Sequence, residues 1–147
     1  MTWNADPSPR LTEADYKVLA GFRYELRRFL AFSKREAEGA GLKPQQYQAL
    51  LALKAKGPSE PMAAKELADE LFIRLSTAVE LIDRLQDQNL VARTASPDDG
   101  RRMLVSLTPE AETVLQNLAA VHMAELKAHV PQLIDLLGRI ACPKPPA

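Results

Sequence analysis

Residues 89–110 read N-L-V-A-R-T-A-S-P-D-D-G-R-R-M-L-V-S-L-T-P-E, and no other stretch of the chain leaves so few folds open. Leu90–Thr94 and Arg102–Leu107 have the composition of two short strands, with Met103, Val105 and Leu107 alternating inward against a polar opposite face. Pro97, Asp98, Asp99 and Gly100 supply the turn between them. Directly upstream, two short amphipathic helices are expected over Ala63–Leu71 and Leu75–Gln88, with Phe72 and Ile73 as the turn. Leu67, Ala68 and Leu71 make the packing face of the first; Leu75, Ala78, Ile82 and Leu85 make that of the second, flanked by Val79 and Leu81. Ser76, Thr77, Glu80, Asp83, Arg84 and Asp87 then face solvent. A helix pair followed by an arginine-tipped hairpin is the pattern of a winged helix. The common use of that unit is to grip duplex DNA, with one helix in the major groove and the wing alongside.

The flanking segments read as helices. Thr12, with Asp15 three residues on, opens one over Glu13–Glu38, where Tyr16, Leu19, Phe22, Leu26, Phe29 and Leu30 form a broad apolar stripe. So long a stripe exceeds what one small domain can cover, so part of it is expected to face a second subunit; burial against the chain's own C-terminal helices is the alternative. Gly39 and Gly41 end this helix. Pro44 then suits the first position of another, Gln45–Lys54, with Leu50, Leu51 and Leu53 inward and a loop over Lys56–Pro61 behind it. Asn89 suits the left-handed cap that ends the Leu75–Gln88 helix. Thr108, Pro109 and Glu110 combine a hydroxyl cap, a proline at the first position and a negative charge near the positive end of the helix dipole. The helix they open carries Val114, Leu115, Leu118, Val121, Leu126 and Val130. Pro131 is expected to break it before a last amphipathic helix over Gln132–Ile140.

Composition narrows the class of protein. The 147 residues, 46% hydrophobic and 26% charged, suit one domain with its own core. The first ten residues are polar and carry Pro7 and Pro9, which fits neither a secretory signal nor a membrane anchor, and no apolar run is long enough to span a bilayer. A cytoplasmic protein without a membrane partner is the expectation. Cys142 is the single cysteine and lies beside Pro143, Pro145 and Pro146, so it reads as a free thiol on a tail, with a peroxide sensor as the alternative. Nineteen basic residues balance nineteen acidic ones, and residues 62–108 carry six basic against eight acidic side chains. A domain with that balance holds DNA only if its arginines collect on one surface, and its sequence-independent attraction to phosphate is weak.

Four blocks in order make the whole chain resemble one family: G-L-K-P-Q-Q-Y-Q-A-L-L-A-L from Gly41, K-E-L-A-D-E-L from Lys65, S-T-A-V-E-L-I-D-R-L-Q-D-Q-N-L-V-A-R from Ser76, and S-P-D-D-G-R-R-M-L-V-S-L-T-P-E from Ser96. Over about Leu11–Ile140 the chain resembles the multiple-antibiotic-resistance regulator (MarR) family of bacterial winged-helix transcription factors. The resemblance implies a mainly α fold with a small β-wing: a winged helix-turn-helix lobe over residues 44–108 and dimerisation helices over 11–38 and 109–140. It also implies a homodimer that represses or activates genes and often loosens its grip when a small ligand binds. Ser76, Thr77 and Glu80 fall where that family's recognition helix meets bases, and Asp99 with Arg101 matches the Asp-x-Arg of its wing. Three positions depart from the pattern. Gly100 stands where arginine is common, which shifts the expected minor-groove contact to Arg101 or Arg102. Asn89 replaces a frequent glycine. Lys43 replaces a Ser or Thr cap, a loss of about 0.5 to 2 kcal/mol.

Each of these residues also has a plainer reading. Ser76 and Thr77, at the start of their helix, can bond phosphate or base edges, or simply cap. Glu80 would be repelled by phosphate unless it accepts from a cytosine amino group, and fits equally a surface charge. With Arg84 it completes the expected recognition surface. Arg101 and Arg102 can enter the narrow minor groove or bond phosphate, or be solvated beside Asp98 and Asp99, with Asp99 bracing Arg101. Phe22, Leu26, Phe29 and Tyr47 are the candidate lining of a pocket for an aromatic or otherwise apolar effector, or plain core. His122, Glu125 and His129 lie near one helix face but lack the converging ligands that a metal needs, so neither metal nor cofactor is expected. No catalytic signature is present, and an enzyme is not expected. The competing reading is a winged helix that serves protein interaction, which the acidic local balance and Glu80 favour.

Overall fold

The computed structural model describes residues 10–141, so Cys142 lies outside the described residues. The elements run α1 (Glu13–Gly39), α2 (Pro44–Lys56), α3 (Ala64–Leu71), α4 (Leu75–Asp87), β1 (Val91–Ala95), β2 (Met103–Leu107) and α5 (Pro109–Ala141). This is the mainly helical fold with a two-stranded antiparallel wing that the sequence implies. Among the described residues, no helix is long and apolar enough to cross a membrane.

Two compact units divide the chain: Phe32–Ala124, and the residues up to Ala31 together with those from Glu125. The divisions fall inside α1 and α5 rather than at the loops near residues 41 and 108. The reason is burial, because Ser33 and Ala37 at the end of α1, and Ala111, Leu115, Leu118 and His122 in the first half of α5, are buried parts of the larger unit.

The core of that larger unit is built on Leu50, Leu67, Ile82 and Leu85, which lose almost all solvent contact. Burying a side chain of this size is worth about 1.5 to 3 kcal/mol. Around them pack Tyr47, Met62, Leu81, Val91, Val105, Leu115 and Leu118. The hairpin pairs Val91 with Leu107 and Ala95 with Met103. Val105 donates its N–H to Met62 O at 2.9 Å, so the chain entering α3 runs along β2 as a third short bridge. That contact fastens the wing to the helix pair.

Helix ends follow local chemistry. Thr12 and Asp15 cap each other, with Thr12 N–H to Asp15 Oδ2 at 2.8 Å and Asp15 N–H to Thr12 Oγ1 at 3.3 Å. Thr108 Oγ1 accepts from Ala111 N–H at 3.2 Å and donates to Asn89 O at 2.8 Å, which ties the start of α5 to the end of α4. Asn89 adopts the left-handed conformation, φ 59°. Lys43 has no accepting side chain, but its N–H donates to Gln46 Oε1 at 2.8 Å, so the start of α2 recovers one of the two bonds of a capping box. Phe72, φ 55° and ψ 42°, closes α3 in the same left-handed region, which costs a non-glycine residue about 1 to 2 kcal/mol.

Four expectations are corrected. Pro131 does not break α5, which continues to Ala141. Pro131 is exposed, so the one carbonyl it leaves unpaired can be hydrated and the helix runs on. On α4 the inward row is Ala78, Leu81, Ile82 and Leu85, while Leu75 and Val79 face out. On α2, Leu51 is exposed and Ala49 and Tyr47 take the core positions. Met103 is exposed at the wing's far end, so among the inward set of β2 only Val105 is buried outright.

The smaller unit is built differently. Its helical stretches meet where Gly21 lies against Leu136, so closely that a Cβ on Gly21 would stand 3.0 Å from Leu136 Cδ2. Arg28 donates to Glu25, to Glu125 Oε1 at 3.1 Å and to His129 Nε2 at 2.5 Å. The Glu25 hydrogen bond holds the guanidinium above its ordinary value, with desolvation opposing. No described residue of this unit is fully buried.

Candidate nucleic-acid interface

The larger unit carries the residues that the sequence singles out for DNA, and it brings most of them to α4 and the wing. Ala78, Leu81, Ile82 and Leu85 anchor α4 on the core, and this places Ser76, Glu80, Asp83, Arg84 and Asp87 on its solvent side. Ser76 is exposed within the first turn of α4. Thr77 is half-buried, and it shares with Glu80, Arg84 and Lys43 a recess of about 70 Å³. Neither Glu80 nor Arg84 forms an ion pair with the described residues, so both head groups remain available to a partner.

The α4 N-terminus is open for ligands in a specific sense. Arg74 precedes the helix with extended backbone and makes no side-chain cap. The N–H groups of the first turn therefore have no protein acceptor of that kind. Such N–H groups, with the positive end of the helix dipole, suit a phosphate.

In the wing, Asp99 organises the turn through the backbone. Its Oδ1 accepts from Arg101 N–H at 3.1 Å, and its carbonyl accepts from Arg102 N–H at 2.9 Å. Asp99 thus positions Arg101 without pairing with its guanidinium. The two arginines differ. Arg102 is ion-paired with Glu66 of α3, whereas Arg101 makes no ion pair with the described residues and extends from an exposed tip. Gly100 has a φ that any residue can adopt, and a side chain there would meet open space, so the turn does not require glycine at this position.

Ion pairing also alters the acidic balance. Asp83 is held by Arg93 at 2.5 Å and Glu70 by Lys56 at 3.4 Å, while Arg93 also bonds Gln86. The charges of residues 62–108 left without an ion pair among the described residues are then Lys65, Arg74, Arg84 and Arg101 against Asp69, Glu80, Asp87, Asp98 and Asp99, so the acidic excess narrows but remains.

The other singled-out residues do not gather into one site. Tyr47 is buried in the larger unit, where its ring stacks on His122 with centroids 4.4 Å apart, and burial pushes its phenol above the ordinary value. Phe22 and Phe29 are half-buried and Leu26 is exposed, all in the smaller unit. His122 Nδ1–H donates to Leu118 O at 2.7 Å, its Nε2 lies 2.8 Å from Ser33 Oγ, and Phe32 meets its ring edge-on. Its ring nitrogens are thereby engaged. His129 and Glu125 do meet, at 3.1 Å, but around Arg28, whose cationic group occupies the space that a metal would need.

Sequence reasoning missed Gln46, buried with its amide donating to Gln88 Oε1 at 2.9 Å, and Met62, which joins the wing to the helix pair. It also missed a cavity of about 240 Å³ at the base of the wing, lined by Leu53, Met62, Val105 and Leu107, with the Lys54–Glu112 ion pair at its edge.

Comparison with known proteins agrees with this geometry. The MarR family profile matches residues 40–102, from the end of α1 to the wing tip. An uncharacterised HTH-type transcriptional regulator of Bacillus subtilis, YsmB, is 29% identical over 112 residues, which cover 74% of this chain and 75% of that protein. Two further curated regulators are matched over 61% and 64% of their length. Among solved structures, AbsC, a MarR family transcriptional regulator from Streptomyces coelicolor, superposes with a TM-score of 0.71 at 21% identity, covering 91% of this chain and 96% of that one. A mutant of MepR from S. aureus, bound to an oligodeoxyribonucleotide, superposes with a TM-score of 0.64 at 20% identity, covering 84% and 85%. The profile spanning the helix pair and wing, together with these relatives, places residues 40–102 in the MarR family of winged-helix transcriptional regulators.

Proposed function

We propose that this regulator binds duplex DNA sequence-specifically as a homodimer, reads a palindromic operator, and acts as a repressor released by a small aromatic or apolar ligand. The observation that carries DNA binding is the solvent face of α4, where Ser76, Glu80 and Arg84 stand unpaired in the same unit as the free guanidinium of Arg101 on the wing. The recognition contacts are assigned to Ser76, Thr77, Glu80 and Arg84 and the wing contacts to Arg101, with Asp99 bracing; Arg102 joins them when Glu66 releases it. A protein of the same fold bound to an oligodeoxyribonucleotide supports the assignment.

The dimer rests on the smaller unit, which leaves Leu19, Leu26, Leu30, Ile134, Leu137 and Ile140 exposed and buries no described residue outright. A second copy is the occupant that supplies matching apolar helices. Two copies must then place their α4 helices about 34 to 36 Å apart, one turn of duplex, to read both half-sites. A ligand that prefers one spacing by about 1 to 3 kcal/mol would change operator affinity some 5- to 150-fold. Phe22, Leu26 and Phe29 are apolar candidates for its contacts, as is the cavity beside Leu53 and Met62.

Selection of bound duplexes from a random pool, followed by binding measured against salt, tests the central reading. A shared palindrome and affinity that climbs as salt falls are expected. Salt-independent binding to no duplex in particular would favour the protein-interaction module that the acidic balance suggests. Titration of aromatic acids and amines, with and without operator, tests the ligand input, because coupling must appear equally in both affinities.

A further inference from the structure

Phe72 is exposed to 96% of its full extent, although it is one of only four phenylalanines in the chain. Its backbone sits in the left-handed region, where glycine is the undemanding choice. Single exposed apolar residues are ordinary, but a fully exposed aromatic in a conformation that disfavours it contributes nothing to folding that glycine would not. The turn itself is well built: Ile73 N–H donates to Ala68 O at 3.0 Å, and Ile73 packs against the core. It directs Ile73 inward and Phe72 outward.

Phe72 has two apolar neighbours along the chain. Leu75 is 54% exposed and Val79 40% exposed, and they lie one helical turn apart on the solvent side of α4, next to Ser76 and Glu80. The turn before the proposed recognition helix and its leading end therefore expose three apolar side chains within eight residues of the chain, interspersed with the polar groups assigned to the bases. The floor of the major groove offers one apolar group, the 5-methyl of thymine, and apolar side chains are what read it. Phosphate contacts would instead call for cations at these positions.

We propose that Phe72 and Leu75 are specificity-determining residues that pack on thymine 5-methyl groups in each operator half-site. This rests on the DNA-binding reading above and deepens it, by naming the base feature that the turn and first turn of α4 select.

The test uses the full chain and the duplex recovered by selection, with each thymidine replaced in turn by deoxyuridine, which removes the methyl and keeps every hydrogen-bonding group. The wild-type protein is expected to lose about fourfold in affinity at one or two symmetric positions, the equivalent of one buried methyl group. Phe72→Gly, which suits the left-handed turn, and Leu75→Ala, which suits a helix, should bind thymine and uracil duplexes alike at those positions with an unchanged salt slope. Equal wild-type affinity for every uracil duplex overturns the proposal while leaving DNA binding standing. Sensitivity to uracil that persists in both variants overturns it too. A drop in the association state of Phe72→Gly without DNA would assign these side chains to a second copy instead, and recovery of no duplex at all would remove the DNA reading and this one with it.

Discussion

Arg101 and Arg102 are adjacent in sequence but differ in what holds them. The Arg102 guanidinium is paired with Glu66, whereas that of Arg101 is held only through its backbone by Asp99. Arg101→Ala is accordingly expected to lower DNA affinity and to reduce the salt slope by about one unit, the signature of one lost phosphate contact. Arg102→Ala should change the slope less and reduce the stability of the helix pair slightly, because an exposed ion pair contributes about 0 to 1 kcal/mol. Fluorescence anisotropy across a salt series, beside urea unfolding, distinguishes the two; equal slopes for both variants would mean that the Glu66 pair opens on DNA. Tyr47 allows a different kind of test. Its phenol titrates above the ordinary 10.0 because burial disfavours the phenolate. The folded state thus holds the proton more tightly than the unfolded chain does, so this contribution is complete below pH 10.0 and is lost as pH rises through the folded value. Tyr47→Phe keeps the stack on His122 and removes the titration. Its unfolding midpoint should fall less than that of the wild type between pH 10 and 11, and parallel falls would place the alkaline loss elsewhere.

Helix ends are where this fold was most legible in advance, because a cap is a conversation among residues three or four apart. Thr108 is the strongest case: its hydroxyl serves both Ala111 and Asn89. Thr108→Ala is expected to cost about 1.5 to 2 kcal/mol, the upper part of the usual 0.5 to 2 range, since two bonds go at once. Thr108→Ser, which retains both, should restore most of it in the same denaturation series. Thr12 with Asp15 and left-handed Asn89 were equally readable for the same local reason. The inward face of α4 was not. With Leu75, Val79, Leu81, Ile82 and Leu85 on one helix, a 3.6-residue period allows neighbouring faces, and the choice falls to what α2, α3 and the wing leave open. That choice exposed Leu75 and Val79 and moved Leu81 inside. Pro131 misled because a proline removes one bond from a helix of 33 residues, and an exposed position tolerates the loss. The pairs that organise the interior, Gln46 with Gln88 and His122 with Ser33, join residues 42 and 89 positions apart, for which the local pattern holds no signal.

The two units of the chain differ in how they are stabilised, and that difference bears on function. The larger has its own core around Leu50, Leu67, Ile82 and Leu85. The smaller relies on partial burial, on the Gly21–Leu136 approach and on the charges gathered at Arg28. Apolar residues such as Leu30 and Ile134, exposed at 56% and 64%, would each gain about 1 to 2 kcal/mol from burying what remains exposed, and none of that gain is available within the unit. A second copy makes it available, at the expense of the freedom lost on association, and the balance must favour the dimer at micromolar concentration for the operator reading to hold. The prediction is therefore twofold. Sedimentation equilibrium should give twice the chain mass, and Leu30→Glu with Ile134→Glu should give a single chain mass, since a carboxylate placed in an apolar interface either remains hydrated and keeps the surfaces apart or loses its water without a partner. The larger unit, whose core neither residue enters, should keep its wild-type helicity and near-ultraviolet signal. Operator affinity should then fall to that of one half-site, because one α4 without its twin contacts one half of the palindrome. A monomeric wild type, or a double variant that still sediments as a dimer, would break the link between the exposed stripe and two-fold recognition of DNA.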